Sequence, residues 1–213
     1  TNNTPTVNAG RDTAICVGSS VRIGGSSAGG TTYSWFPANY LSNPNVAMPL
    51  STPPVTTTYI VTATNLANGC TAQDTVTITV NAVPTALFEP DPDQCLTDNS
   101  FTFTNTSLLG STYNWTFGDG ESSSETSPVH SYLSARGYTV KLVTTAVGGC
   151  MDSTTRTVTV HGNPTVTANN DLTLCRDKSA QLRATGAQLY EWTPALGLSC
   201  DDCPNPIATP LTD

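Results

Sequence analysis

The chain has 213 residues and a net charge of −8, and only 11% of its residues are charged. This acidic balance argues against nucleic-acid binding, because proteins that bind nucleic acid neutralise phosphates with a basic surface. No apolar run approaches the roughly 20 residues that a membrane-spanning helix needs, so no membrane span is expected.

The sequence repeats three times with a period of about 80 residues. Each repeat begins with Pro-Thr, has a cysteine eleven residues after that proline, and has a tryptophan about thirty residues after it. The prolines are Pro5, Pro84 and Pro164, the cysteines are Cys16, Cys95 and Cys175, and the tryptophans are Trp35, Trp115 and Trp192. Self-similarity at a fixed period indicates a tandem array. We therefore predict three units, at residues 1–82, 83–162 and 163–213.

Within the units, short segments rich in β-branched residues alternate apolar and polar side chains, which is typical of half-buried strands. The predicted strands lie at residues 20–23, 31–36, 57–64, 101–106, 112–117 and 138–143, and two final strands contain Val76, Ile78 and Val80 in the first unit and Val158 and Val160 in the second. Turn residues separate the strands at the spacing of a two-sheet sandwich. The pattern predicts an all-β fold of tandem immunoglobulin-like sandwiches, and short linkers with one proline each predict an extended rod.

The middle unit contains the run YNWTFGDGESSSETSPVHSY, followed by GYTVKLV. This run resembles the polycystic kidney disease (PKD) domain, an immunoglobulin-like sandwich with W-x-F-G-D-G, P-x-H-x-Y and G-x-Y-T-V motifs. The matching residues are Trp115, Phe117, Gly118, Asp119, Gly120, Pro128, His130, Tyr132, Gly137, Tyr138, Thr139 and Val140. The chain departs from the family pattern by one residue, which is missing between Gly137 and Tyr138. The resemblance implies a PKD fold for about 80 residues.

Asp119 and His130 have two interpretations. They could form a catalytic pair, or they could serve the turn and corner in which the PKD motif places them. We expect the second, because Gly-Asp-Gly supplies a turn with positive φ and a histidine in a sandwich corner satisfies backbone groups. No nucleophile elbow, zinc-protease motif or phosphate-binding glycine loop occurs in the sequence, so no enzyme activity and no catalytic residue are expected.

The flanking units share a second motif, Y-x-W-x-P followed by L-S and A-x-P. It occurs at Tyr33, Trp35, Pro37, Leu41, Ser42, Ala47 and Pro49, and again at Tyr190, Trp192, Pro194, Leu198, Ser199, Ala208 and Pro210. These units resemble the Ig-like repeats of giant surface proteins of Bacteroidota, which often alternate with PKD units. The resemblance implies an adhesin of the gliding-motility type, exported by the type IX secretion system.

Seven cysteines in a low-charge all-β chain indicate an oxidising, extracellular setting. Parallel spacing predicts disulfides Cys16–Cys70 and Cys95–Cys150, one inside each of the first two units. By the same rule Cys175 has no partner, because its counterpart would lie near residue 230. Either the chain is a fragment of a longer protein, which we favour, or a neighbouring molecule completes the third unit by adding strands.

The run LSCDDCPNP places Cys200 and Cys203 in a loop that is four residues longer than its counterpart in the first unit. Zinc binding would need further cysteines or histidines nearby, and a thioredoxin-type site would need a helix that Pro204 and Pro206 prevent. A local disulfide that stiffens the loop fits better, and it would stabilise by about 2 kcal/mol.

Two further site types remain open. Calcium could bind the carboxylates of Asp91 and Asp93 or of Asp201 and Asp202, although solvated loop charges are the simpler interpretation, and no other cofactor is expected. The tripeptides that begin at Asp12, Asp74 and Asp152 fit a Bacteroidota pattern for O-glycosylation. The acceptors would be Thr13, Thr75 and Ser153, unless the pattern only reflects β-propensity.

These observations lead to one main functional expectation. The chain is expected to be a structural segment of a surface adhesin or filament that holds a contact-making tip away from the cell. Its partners would be neighbouring repeats, identical chains in a filament, and glycans or proteins of another cell or of a substratum. The alternative is a carbohydrate- or protein-binding module of a secreted hydrolase, which exposed aromatic rings would favour. Most aromatic residues are expected in the core, with Tyr40 as the main exception.

Overall fold

The computed structural model describes residues 4–26, 28–175 and 178–210. Every regular secondary-structure element in these ranges is a β-strand. This confirms the all-β fold. None of the described segments forms a helix of the length and apolarity that crossing a membrane requires.

The first unit contains six strands. They are β1 (Thr13–Cys16), β2 (Val21–Arg22), β3 (Thr31–Phe36), β4 (Leu50–Ser51), β5 (Thr57–Asn65) and β6 (Thr71–Asn81). One sheet has the order β1-β6-β5-β3, and β2 pairs with β4. Alternate residues of β5 and β6, such as Tyr59, Val61 and Ile78, are fully buried around Trp35, while the threonines between them stay more exposed. The alternation in the sequence therefore places one face of the sheet in the core.

The middle unit repeats this topology with more strands. They are β7 (Phe88–Pro90), β8 (Gln94–Cys95), β9 (Phe101–Asn105), β10 (Thr112–Thr116), β11 (Ser122–Ser123), β12 (Val129–His130), β13 (Gly137–Thr145) and β14 (Met151–His161). The sheets are β11-β10-β13-β14-β8 and β12-β9-β7. Between the two sheets lie Phe88, Phe103 and Trp115, with Trp115 and Phe88 packed edge to face at 4.9 Å between ring centroids.

The third unit is far less packed. Its strands are β15 (Thr167–Ala168), β16 (Ala180–Gln181), β17 (Ala184–Thr185) and β18 (Ile207–Ala208), and they form two separate pairs. Among its described residues only Ala184 and Pro206 are buried. An open cavity of about 280 Å³ lies against Leu174, Leu182 and Trp192. In the first unit the equivalent tryptophan, Trp35, lies in one buried cluster with residues of the long strands β5 and β6.

Both predicted intra-unit disulfides are wrong. The structure joins Cys16 to Cys150, and it leaves Cys70, Cys95 and Cys175 unpaired. The reason is the direction of the strands. β1 runs parallel to β6 with Cys16 opposite Asn81 at the end of β6, whereas Cys70 directly precedes the first residue of β6. Eleven strand residues span about 35 Å, and a disulfide needs Cα atoms within about 7 Å.

The same geometry separates Cys95 from Cys150. β8 runs parallel to β14 with Cys95 opposite His161 at the end of β14, and Cys150 directly precedes its first residue. The shared spacing of the cysteines therefore reflects equivalent positions at opposite ends of each unit.

Candidate functional site

The candidate site is the junction between the first and middle units. At the first unit's end, β1 stops at Cys16, and the amide of Val17 donates to the carbonyl of Asn81 at 2.9 Å. From the other side, the turn between β13 and β14 brings Cys150 to Cys16, with 5.7 Å between their Cα atoms. The bond spans 134 residues of sequence, so it joins two successive units end to end.

The turn that carries Cys150 is built for this close approach. It is closed by hydrogen bonds from the Gly149 amide to Ala146 and from the Ala146 amide to Cys150. Gly148 has φ of 104°, and a Cβ there would lie 2.6 Å from the side chain of Asn81. The Asn81 amide group donates to the Gly148 carbonyl at 3.3 Å. Only glycine lets the turn approach Asn81 this closely, and the Asn81–Gly148 hydrogen bond and the disulfide together join the two units.

Asp119 and His130 lie in the middle unit, in contact with its aromatic core. His130 Nε2 is 2.7 Å from Asp119 Oδ2, and the imidazole stacks on the Phe117 ring at 4.1 Å between centroids. A second oxygen of Asp119 accepts from the amide of Glu121 across the turn. Strand β12 thus carries a histidine that is tied to the Gly-Asp-Gly turn, with Gly118 and Gly120 at positive φ on either side. This arrangement braces the turn.

The charge of Asp119 follows from these contacts. Burial raises the pKa of its carboxyl, but the hydrogen bonds from His130 and from the Glu121 backbone lower it by more, so the net pKa lies below its ordinary value of 3.8.

Tyr132 completes the corner. Its hydroxyl donates to the Phe117 carbonyl at 3.0 Å, its ring stacks on Tyr138, and its backbone is held on both sides by the buried side chain of Asn99. Burial, followed by the charge of Asp119 and the nearby Tyr138, raises the pKa of the Tyr132 phenol above its usual range. The phenol therefore remains a neutral hydrogen-bond donor within the core.

The carboxylates considered for calcium already accept backbone hydrogen bonds or lie in solvent. Asp91 accepts from the Thr102 amide at 2.8 Å, and Asp93 accepts from the Thr159 amide at 2.8 Å. Asp201 and Asp202 are exposed. Within the described ranges, no three acidic, histidine or cysteine side chains gather closely enough to hold a metal ion. The calcium site therefore gains no geometric support there.

Cys200 and Cys203 are bonded to each other, with 5.9 Å between their Cα atoms. The loop they close lies on the repeated tryptophan. Trp192 Nε1 donates to the Cys203 carbonyl at 2.8 Å, as Trp35 Nε1 donates to the Val46 carbonyl and Trp115 Nε1 to the Glu125 carbonyl, both at 2.9 Å. The Cys200–Cys203 disulfide therefore lies in the loop whose carbonyl accepts the hydrogen bond of the Trp192 indole.

The comparisons with known proteins agree on the middle unit. The PKD domain family model matches residues 81–162. The crystal structure of the PKD1 domain of Vibrio anguillarum Epp is 39% identical, and the match covers 99% of that chain and 39% of this one with a TM-score of 0.35. Through residues 81–162, the chain belongs to the PKD domain family.

A second PKD1 domain, from the Vibrio cholerae metalloprotease PrtV, is 35% identical over 98% of its length and 37% of this chain, with a TM-score of 0.34. Over a longer range, the chain is similar to the N-terminal eight Ig domains of Down Syndrome Cell Adhesion Molecule, at 15% identity and a TM-score of 0.59, covering 95% of this chain and 32% of that one. This likeness shows the fold alone, a tandem array of Ig-like sandwiches around the PKD domain. No curated protein matches the sequence.

The aspartates of the three tripeptides have a structural role in the PKD domain and the unit before it. Asp74 accepts from the Ala9 amide at 2.8 Å, and Asp152 accepts from the Ala86 amide at 2.9 Å. Asp12 accepts from the Thr77 amide at 2.8 Å. Asp74 and Asp152 lie in the last strand of a unit and bind the chain that enters it, whereas Asp12 lies in the entering chain and binds the last strand. Of the acceptor residues, Thr75 and Ser153 are exposed and Thr13 is half-buried. O-glycosylation there remains a prediction.

The sequence did not predict two features of the structure. Asn81 and Gly148 form the contact between the first unit and the PKD domain, and only the Gly-Gly pair before Cys150 indicated a tight turn. Phe36 is 73% exposed at the end of β3, and Tyr40 is 55% exposed after it. Tyr40 was expected at the surface. Phe36 was not, although it follows the buried Trp35 directly and must point to the opposite face of the strand.

Proposed function

We propose that the chain is a non-enzymatic structural segment of an extracellular bacterial surface adhesin or filament. In this role it acts as a stiff stalk that carries a contact-making tip away from the cell. The observation that carries the proposal is the Cys16–Cys150 bond, because it joins successive sandwich domains end to end and serves no single domain's core. Such a bond is useful where a row of domains bears tension in an oxidising medium.

Several further observations support this role. The PKD domain and the Ig-like fold occur here in tandem, and a threonine-rich exterior on β5, β6, β13 and β14 limits self-association. The motif shared by the flanking units supports an assignment to Bacteroidota gliding-type surface proteins exported by type IX secretion. In that setting the partners are neighbouring repeats, identical chains in a filament, and glycans or proteins on another surface.

The test uses cells that produce the parent protein. Antibodies against this segment should label intact cells, and in-frame removal of residues 4–162 should reduce attachment under flow while the protein is still exported. A matched variant with Cys16→Ser and Cys150→Ser should attach normally at rest but detach at lower shear. Labelling that requires permeabilised cells would rule out the surface role, and unchanged attachment without the segment would rule out the stalk.

One observation favours a second candidate, a binding module for carbohydrate. The rings of Phe36 and Tyr40 are mostly exposed on the first unit, and sugars stack on flat aromatic faces. Micromolar binding on a glycan array by the whole chain, lost in a Phe36→Ala and Tyr40→Ala variant, would favour this candidate over the stalk. Among the described residues no other aromatic ring is comparably exposed, so a control by ring removal elsewhere is not possible. Leu133→Ala therefore serves as the control for loss of exposed apolar surface.

A further inference from the structure

The structure leaves three cysteines unpaired, and two of them, Cys70 and Cys95, lie at positions equivalent to the two halves of the bond already formed. Cys95 corresponds to Cys16. Each ends a short strand that runs parallel to the last strand of its unit, and each lies opposite that strand's final residue, His161 or Asn81. In both units the amide of the residue after the cysteine donates to the carbonyl of that final strand residue. Leu96 donates to His161 at 2.8 Å, and Val17 donates to Asn81 at 2.9 Å.

Cys70 corresponds in the same way to Cys150. Each directly precedes the last strand of its unit, β6 or β14, and follows a glycine at positive φ, Gly69 or Gly149. The carbonyl of Cys70 accepts from the Asn65 amide at 2.9 Å, and that of Cys150 accepts from the Ala146 amide at 2.8 Å. The two turns therefore present their sulfur atoms in equivalent backbone settings.

Cys70 and Cys95 are not partners of each other. Cys70 lies at the end of the first unit that faces away from the junction, and Cys95 lies at the far end of the PKD domain. Two strands of eleven residues, β6 and β14, lie between the two cysteines along the molecule. Their combined length is about 70 Å. Cys95 is exposed and Cys70 is half-buried, so neither thiol is sealed in a core.

We infer that Cys70 and Cys95 are each one half of a further inter-domain disulfide, whose other half is a cysteine of an adjoining sandwich domain of this same kind. The partner of Cys95 is a thiol on the turn before the last strand of the following domain. The partner of Cys70 is a thiol at the end of the strand parallel to the last strand in the preceding domain. Each domain of such an array is then bonded to both of its neighbours.

The bond forms by thiol–disulfide exchange with a low-molecular-weight disulfide such as oxidised glutathione. Two protein thiols lose two electrons and two protons and become one S–S bond, and one oxidised glutathione becomes two reduced glutathione molecules. The inference depends on the proposed function only in that both require neighbouring domains, and it is tested by mapping disulfides, which does not involve adhesion.

The first test extends the chain so that its third unit gains the two missing strands. A copy of residues 50–82 replaces residues 211–213, because Pro210 corresponds to Pro49 and the copy brings β5, β6 and Cys70 to equivalent positions. After oxidation with glutathione, peptide mapping without reduction should recover Cys95 bonded to the copied Cys70. The native Cys70 and Cys175 should still react with N-ethylmaleimide. The control is the same extension with the copied Cys70→Ser, in which Cys95 should remain reactive.

A reactive Cys95 in a folded, protease-resistant extended chain would overturn the inference, and so would a bond between Cys95 and Cys175. Because this result depends on the folding of a chimeric third unit, a second variant tests the other end. A copy of residues 83–162 placed directly before Thr4 reproduces the spacing between His161 and Pro164. Here the copied Cys95 should bond to the native Cys70. A copied PKD domain that folds while Cys70 remains reactive would equally overturn the inference.

The unmodified chain provides a third readout. Under native, oxidising conditions it should remain monomeric on a non-reducing gel, with Cys70 and Cys95 both open to alkylation. Dimers linked through Cys70 and Cys95 would instead show that a second copy of the chain supplies the partner thiol, which would contradict the tandem arrangement.

Discussion

At the scale of single residues, Asp119 connects the charge of a turn to the stability of a domain. Its carboxylate accepts from His130 and from the Glu121 amide, and its pKa lies below the ordinary value. A carboxyl whose pKa is depressed by folding stabilises the folded state above its ordinary pKa. That stabilisation is lost as the pH falls through the lower, folded-state value.

Replacing Asp119 with Asn should therefore change the acid side of the stability profile. The PKD domain of the Asp119→Asn variant should melt at a lower temperature than the wild type near neutral pH. The difference should shrink below about pH 4, because the wild-type carboxyl then becomes protonated. Calorimetry across this range provides the measurement, with the exposed Asp98→Asn as a control. Parallel profiles for Asp119→Asn and the wild type would contradict the assignment.

At the scale of elements, the strands were predictable and the cysteine partners were not. Alternation locates β3, β5, β10 and β13 within one or two residues, because burial on one sheet face imposes a period of two on the sequence. Cysteine spacing reports only distance along the chain. It does not tell that β1 pairs in parallel with β6, which places Cys16 at the end of β6 opposite to Cys70. The corner of the PKD domain was predictable because its motif is local, whereas the contact of Asn81 with Gly148 joins two units.

The aspartates within the last strands lead to a prediction about how the chain entering a unit is anchored. Removing the carboxylate in Asp152→Ala leaves the buried Ala86 amide without its partner, which should lower the free energy of unfolding by about 1–3 kcal/mol. The neighbouring Ser153→Ala should change it by less than about 0.5 kcal/mol, because Ser153 is exposed. Urea unfolding of the whole chain measures both. Equal effects would show that Asp152 does not anchor the chain that enters the PKD domain.

At the scale of the whole molecule, the Cys16–Cys150 bond redirects tension. Force applied at the two ends enters through β1, crosses the sulfur atoms and leaves through β14. The residues between the bonded cysteines lie inside a closed loop and carry none of the load. The bond therefore hides a length of chain of about 450 Å from extension.

Single-molecule pulling from both ends should reveal this hidden length. Under oxidising conditions the first two units should extend little, and a reducing agent should release about 450 Å of additional contour length. The Cys16→Ser and Cys150→Ser double variant should extend fully without a reducing agent, which makes it the matched control. A wild-type chain that reaches full contour length without reduction would show that the bond is absent.

The same loop has a consequence for resistance to proteolysis. A protease that cuts once anywhere between Cys16 and Cys150 opens a surface turn but does not divide the molecule, because the two pieces remain joined through sulfur. Most of the exposed loops of both units, including the one around Tyr40 and the turn at Asp119, fall inside this interval. A chain built this way can be nicked at its most accessible points and still hold its two ends together.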